Sequence, residues 1–516
     1  MKNQSILWPL AAIYTFLLYH QGAGMNILLL NLVLLTTLYI KYKNQLLQKT
    51  NLILVIGALF SAIFVSIHGH FLSVFANIVS LAFLSINLFL KKSSMLSLLL
   101  HSLYAYITTL VNRAIQRFNA TPIQEKETEQ EKPKVNRLFI GLISVAVFGL
   151  FITFYRYSSA SFNQFVLNLN LDFISFPLMV YYAFACGIVS IFLKPIYLEN
   201  IANKELSQTN FLSHSTFKEY NIFGSAIQEI TEDTLAKFLL IGLNLMLLLV
   251  NVLDTDFMLS GKLPNGVNYS EYLHQGVTSL ILSILSAIAI ILWFFRGSQN
   301  FKENKSIKYL TYLWIVLNIW LLASAAYRNQ LYIADHSLYT YKRIGVYVFL
   351  LCALIGLGLT FFKIKNQYSN YFLIKSNSLV WYTILILSVS INWDGFIAKN
   401  HIQAAKQRSE SPDLNYLCGL NYQAYPAVID YLCLEMKKEG SQVDYDPYYY
   451  YANTEDLLQK MIIREQDYTW KSFNYARCKS YRQIHESLKG INHQLVNKKH
   501  QRAFAIFNEF RNPLNF

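Results

Sequence analysis

Eight ionisable side chains stand where long apolar runs begin and end. Asp254 and Asp256 close one run, and Glu271 and His274 open the next, three residues apart on one helical face. Arg328 closes a third run, Lys342 and Arg343 open a fourth, and Asp394 follows a fifth. A carboxylate or imidazole with a tuned pKa in a pocket is what general acid–base chemistry requires. The bland alternative is a ring of interfacial charges with snorkelling stems that fixes helix depth. On helices the two aspartates would face a C-terminal pole and Lys342 and Arg343 an N-terminal one, each the unfavourable end of the dipole. Separately misplaced opposite charges can compensate one another between neighbouring helices. A guanidinium nitrogen of Arg328 or Arg343 is therefore expected within about 4 Å of a carboxylate from a non-consecutive span, the pair shaping an outward pocket.

The elements that must position these groups are membrane helices. Of 516 residues 54% are hydrophobic and 14% charged, against about 25% charged in an ordinary globular protein. Leu239–Val250, Ile281–Phe295 and Ile344–Phe362 carry no charge between their ends. With their flanks such runs fill about 20 helical positions, enough to cross a ~30 Å hydrocarbon core. The pattern places spans near 6–19, 25–40, 51–67, 71–90, 138–157, 172–193, 234–255, 272–295, 309–327, 344–362 and 378–393. The expected fold is all-α, a polytopic membrane helix bundle of about 11 spans with a small C-terminal helical extramembrane domain.

The net charge of +14 reports orientation and not nucleic acid, for which no role is expected. Of 44 Lys and Arg, 23 lie in loops that can share one side, five lie opposite, and 16 sit in a tail that also holds 14 Asp and Glu. This positive-inside distribution puts the N-terminus in the cytoplasm and the tail outside. Arg328, Lys342 and Arg343 are three of the five exceptions. Met95–Val111 reads as an interfacial or re-entrant helix, because a crossing there would move the basic loop after it outside. Met1–Gly24 imitates a secretory signal but reads as an uncleaved first helix.

The chain divides into N-terminal membrane helices over 1–112, a flexible charged cytoplasmic linker over 113–137, a membrane helix core over 138–393 and an extracytoplasmic helical domain over 394–516. In the tail, Pro426 suits a first helical turn, with Val428, Ile429, Leu432 and Met436 following at helical spacing. Thr454 caps a second expected helix bearing Leu457, Leu458, Met461 and Ile462. Trp470, Phe473, Tyr481, Ile484 and Leu488 mark a third.

No Walker loop, dinucleotide glycine pattern, His-Glu-x-x-His or Gly-x-Ser-x-Gly sequence occurs, so nucleotide-driven transport and the common hydrolases lose support. His68-Gly-His70 lacks a carboxylate or Cys partner at metal-site spacing, so no metal and no cofactor are expected. Cys418, Cys433 and Cys478 are odd in number, so at most one bridge could form among them.

Glu271-Tyr-Leu-His-Gln-Gly276, Ala326-Tyr-Arg-Asn-Gln-Leu-Tyr332 and Leu338-Tyr-Thr-Tyr-Lys-Arg343 resemble successive motifs of a bacterial multi-pass family catalogued as a domain of unknown function. Trp393-Asp-Gly-Phe-Ile-Ala resembles its Asp-x-x-Ile-Ala segment, although Asn400 falls one place early. Asp413-Leu-Asn-Tyr-Leu-Cys-Gly-Leu-Asn-Tyr-Gln-Ala-Tyr-Pro426 resembles a further segment in the tail. The resemblance covers roughly residues 138–516 and implies a bacterial inner-membrane protein with an outward tail, without supplying an activity. Two classes of function follow. One is a non-enzymatic envelope component (sensor, scaffold or assembly factor) whose partners are the lipid bilayer and an envelope protein met through 394–516. The other is a transporter or envelope enzyme that handles an anionic or lipid-linked substrate at the charged cluster. Coupled transport is the weaker form of the second, because the span middles offer mainly Asn244 and Asn318. Glu271, His274 and Asp254 could serve an enzyme, but no motif marks them, and the first class is favoured.

Overall fold

The computed structural model describes residues 2–90, 92–118, 151, 154–159, 161–164, 176–212, 225–260, 282–283, 286, 289–290, 305–336, 339–437, 453–454, 456–461 and 469–488. In chain order the first helices are α1 (Lys2–Leu18), α2 (Met25–Leu46), α3 (Lys49–His68), α4 (Phe71–Asn87), α5 (Met95–Phe118), α6 (Phe176–Leu193) and α7 (Glu199–Leu206). They continue as α8 (Ser225–Ser260), α9 (Lys305–His336), α10 (Tyr341–Lys365) and α11 (Asn370–Ser388). The tail adds α12 (Trp393–Arg408), α13 (Leu414–Cys418), α14 (Tyr425–Lys437) and, after a 3-10 turn at Trp470–Ser472, α15 (Tyr475–Leu488). Among the described residues no strand forms, as the hydropathy pattern leads one to expect.

Six of these helices are long and apolar enough to cross a membrane: Met25–Leu46, Lys49–His68, Thr234–Ser260, Lys305–Ala334, Tyr341–Lys365 and Asn370–Ser388. The spans expected at 6–19, 71–90 and 172–193 are apolar helices too short to meet the same length. Most of 138–157 and 272–295 lies outside the described residues. Boundaries move: the helices expected at 234–255 and 309–327 run on to Ser260 and His336, and the last span, expected at 378–393, starts at Asn370, where the Ser369 hydroxyl accepts from the Phe372 amide, and ends at Ser388. The apolar side chains of Phe238, Leu245, Met246, Leu249 and Leu253 lie exposed along α8. Such a patch is untenable in water and ordinary against lipid, so the chain is membrane-embedded.

The chain forms two compact units, residues 1–20 with 103–196 and residues 21–102 with 197–516. In the first, α1 packs along α6, where the Tyr182 hydroxyl donates to the Trp8 carbonyl at 3.2 Å. In the second, α2, α3 and α4 are joined by buried amides. Asn31 and Asn77 donate to one another at 3.0 and 3.1 Å, and Asn77 also donates to the Ala58 carbonyl at 2.9 Å. With no water in the hydrocarbon region, paired amides avoid the penalty of a lone polar group.

A second group packs α8, α9 and α10 around Leu240, Trp314, Ile315, Leu350 and Leu357. Asn244 and Asn251 of α8 donate to the carbonyls of Leu310 and Leu317 of α9, each at 3.0 Å. Both sequence positions increase together, so α8 and α9 run parallel. Helix α9 turns back into α10, whose start is capped by the Thr340 hydroxyl. Helix α11 packs on α10 and also touches α3 and α4. There Gly57 is required by a close approach: a Cβ on it would lie 2.9 Å from Cζ of Tyr382, a ring buried on α11 whose hydroxyl donates to Ser80. Gly57→Ala should therefore cost about 1–3 kcal/mol of overpacking, read as a lowered unfolding temperature in detergent. An unchanged temperature would place α11 away from α3.

Candidate functional site

The expected arginine–carboxylate pair is present between α8 and α9, but neither residue lines the cavity beside Asp394. Arg328 is bonded to Asp254, and each is only 5% exposed. The second carboxylate oxygen accepts from the Ser324 hydroxyl at 2.7 Å. Ser324 and Arg328 are four residues apart, so one face of α9 grips both oxygens. Both helices run past the pair, to Ser260 and His336. Asp254 is therefore an interior residue, and the dipole argument from a helix end does not apply to it. A charge this deep is tolerated because it is both paired and hydrogen-bonded.

Among the described residues the remaining candidates are not drawn into one cluster. Arg343, also buried, lies over the Tyr332 ring with its guanidinium carbon 3.4 Å from the ring centre, a cation–π contact that desolvation strengthens. Its carbonyl accepts from Asn329 at 3.2 Å. Asp256 and Lys342 are exposed. Glu271 and His274 lie outside the described residues. Asp394 is buried in the first turn of α12, where the dipole favours a carboxylate. It accepts from the Asn421 amide at 3.4 Å, and the Tyr341 hydroxyl bonds to it as well.

Asp394, with Tyr341, Asn421 and His70, forms the polar end of a cavity of about 560 Å³. Below them the walls are apolar, from Ile344 through Val348 to Cys352 on α10 and from Trp381 to Leu385 on α11. This volume lies within the range of about 300–1,000 Å³ usual for small-molecule sites.

The same end of the bundle seats the tail. The last carbonyls of a helix have no partner of their own, and those of α3 receive donors from residues far along the chain. Asn474 donates to Val65 at 2.9 Å, while Tyr422 and Gln423 both reach the His68 carbonyl. Phe473 returns a carbonyl to the Met25 amide at 3.0 Å, at the start of α2. Two glycines make room. Gly24 lies against the backbone of Ser472 and Phe473, and Gly69 closes α3 at φ +60° with Tyr422 and Asn474 beside it. Only glycine adopts that φ without strain.

His68 and His70 are clamps in this arrangement. His70 Nδ1 accepts from the Ser73 amide, which leaves the proton on Nε2, 3.4 Å from the Ile391 carbonyl. His68 Nε2 lies 3.2 Å from the Ser390 carbonyl. Together they hold the turn between α11 and α12. Among the described residues no group of His, Cys, Asp and Glu has metal-site geometry.

The tail has its own core, built from Ile397, Leu417, Val428, Ile429, Leu432 and Leu457. The stripe after Pro426 forms α14 as its spacing requires. The third expected helix starts later than its aromatic pattern suggests. Trp470 and Phe473 are exposed, because a Thr469–Ser472 capping box closes a 3-10 turn there. Burial holds the His401 imidazole below its ordinary pKa, with Asp413 opposing, and pushes the Cys418 thiol up to about 11. All five cysteines are free.

Sequence reasoning missed Ser324, Tyr341, Asn421 and Asn474. Only Ser324 carried a local signal, its i−4 spacing to Arg328. The pair makes a sharp prediction. Arg328→Met alone should cost about 3–5 kcal/mol, because it strands a buried carboxylate, while Asp254→Leu with Arg328→Met should cost far less. A double-mutant cycle of unfolding in detergent measures the coupling; simple additivity would mean that the two charges do not depend on each other.

No curated protein and no solved structure matches this sequence. A family model does match, over residues 29–431. It begins inside α2 and ends inside α14, so it reaches further toward the N-terminus than the motif resemblance and stops short of the last helix. By that match the chain belongs to the family described as Domain of unknown function (DUF4153).

Proposed function

We propose that this chain is a non-enzymatic component of a bacterial inner membrane, a sensor, scaffold or assembly factor. Its N-terminus lies in the cytoplasm and its tail outside, where the tail meets an envelope partner. The observation that carries this reading is how the ionisable groups are used. Asp254 and Arg328 satisfy each other, Arg343 lies on Tyr332, and the two histidines hold a turn. A catalytic or transport centre needs such groups converging on a common space, and of the six candidates among the described residues only Asp394 lines the cavity. The orientation rests on the 23-to-5 division of basic residues outside the tail.

The test uses two readouts. Alkaline phosphatase joined after Arg408 should be active, and a reporter that works only in the cytoplasm should be silent at the same point. In cells, the Asp254→Leu/Arg328→Met chain at parental membrane levels should behave as the parent in any condition that distinguishes parent from deletion. A deletion phenotype at full membrane level would instead assign these charges to substrate handling.

A further inference from the structure

We propose that the cavity beside Asp394 binds one chain of an amine-headed membrane lipid, with the ammonium group at the Asp394 carboxylate. Asp394 is 4% exposed and, among the described residues, no cation pairs with it. The Asn421 amide, the Tyr341 hydroxyl and the start of α12 ease its burial, yet each supplies only a dipole. Buried charges are ordinarily paired with a charge, and this one faces an open cavity. A cationic head is the complement of that end.

The rest of the cavity selects a hydrocarbon. From Tyr341 to Cys352 its wall follows α10, about 16 Å at 1.5 Å per residue, and both α10 and α11 are membrane-capable helices. The apolar part therefore lies at the depth of lipid chains, about half of a ~30 Å hydrocarbon core. At its polar end Phe71 and Tyr341 are exposed, and tyrosine is one of the two aromatic types that favour the membrane interface. A water-soluble ligand would have to cross that interface, whereas a lipid arrives from the bilayer itself.

Gly345 gives a clean way to close the site. It lines the cavity, and a Cβ built on it meets no atom within 4 Å. Gly345→Phe should place a ring in the space from a Cβ that meets no neighbour. Asp394→Asn keeps an acceptor for Asn421 and Tyr341 while removing the charge.

The experiment is native mass spectrometry of the full chain in mixed micelles of phosphatidylethanolamine and phosphatidylglycerol with identical acyl chains. The wild type should retain one phosphatidylethanolamine in preference by about tenfold, the scale of one hydrogen bond to a charged group. Gly345→Phe should lose it, and Asp394→Asn should retain lipid with the preference reduced to near unity. Retention of neither lipid, equal retention of both, or unchanged occupancy in Gly345→Phe would overturn the proposal. A second measurement needs no variant: Cys352 lines the cavity. Phosphatidylethanolamine should slow its alkylation by a small apolar reagent at least fivefold more than phosphatidylglycerol does, an order of magnitude set by the same bond. Equal protection by both lipids, or by neither, would likewise overturn the proposal, whether or not Gly345→Phe folds.

Discussion

The last turn of a helix ends in carbonyls that have no partner within the helix, and where other protein packs over that end the donors must come from it. At α3 this chain meets the constraint with side chains from the opposite end of its sequence. Asn474, Tyr422 and Gln423 supply the donors to Val65 and His68. Several other features follow from that seat. Gly24 and Gly69 must stay small, Phe473 must turn outward to offer its carbonyl, and the histidines on either side of Gly69 are drawn onto the turn that starts α12. A tail built on its own core is thereby joined to membrane helices that precede it by more than 300 residues.

Buried polar groups serve the same end deeper in the bundle. Asn244, Asn251 and Asp254 lie along one stripe of α8, and each takes a partner from α9. In lipid there is little hydrophobic gain in bringing two apolar helices together, so packing and such bonds decide the partner. Parallel α8 and α9 are thus joined by two amide rungs and a buried ion pair. The pair alone carries full charges, so losing one member is far more disruptive than losing one amide. That asymmetry separates a structural reading of Arg328 from a catalytic one.

Much of this was legible in the residues. The charge pattern assigns Arg328 to the side poor in basic residues, and that offset charge points to a carboxylate partner. Apolar runs marked the helices, and Pro426 with its stripe marked α14. What stayed hidden depended on long-range geometry. Nothing local to Asn474 or Tyr422 indicates a helix end more than 350 residues upstream, because a single amide or hydroxyl carries no periodic signal. Trp470 and Phe473 resembled a helical stripe, since spacing alone does not separate a core face from a capped turn whose rings point outward. Asn31 and Asn77 are each other's partner, and no local pattern in either apolar run marks that pairing.

The central claim is that donors from the tail close the end of α3. Amide hydrogen exchange of the full chain in lipid nanodiscs tests it most directly, because exchange reports the local opening of each segment. With Tyr422→Phe and Asn474→Leu together, exchange should quicken across α12, α14 and α15 and at the last turn of α3, while α8 and α9 keep the parental rate. If the tail and the end of α3 stay as protected as in the parent, those carbonyls do not hold the tail and the account is wrong.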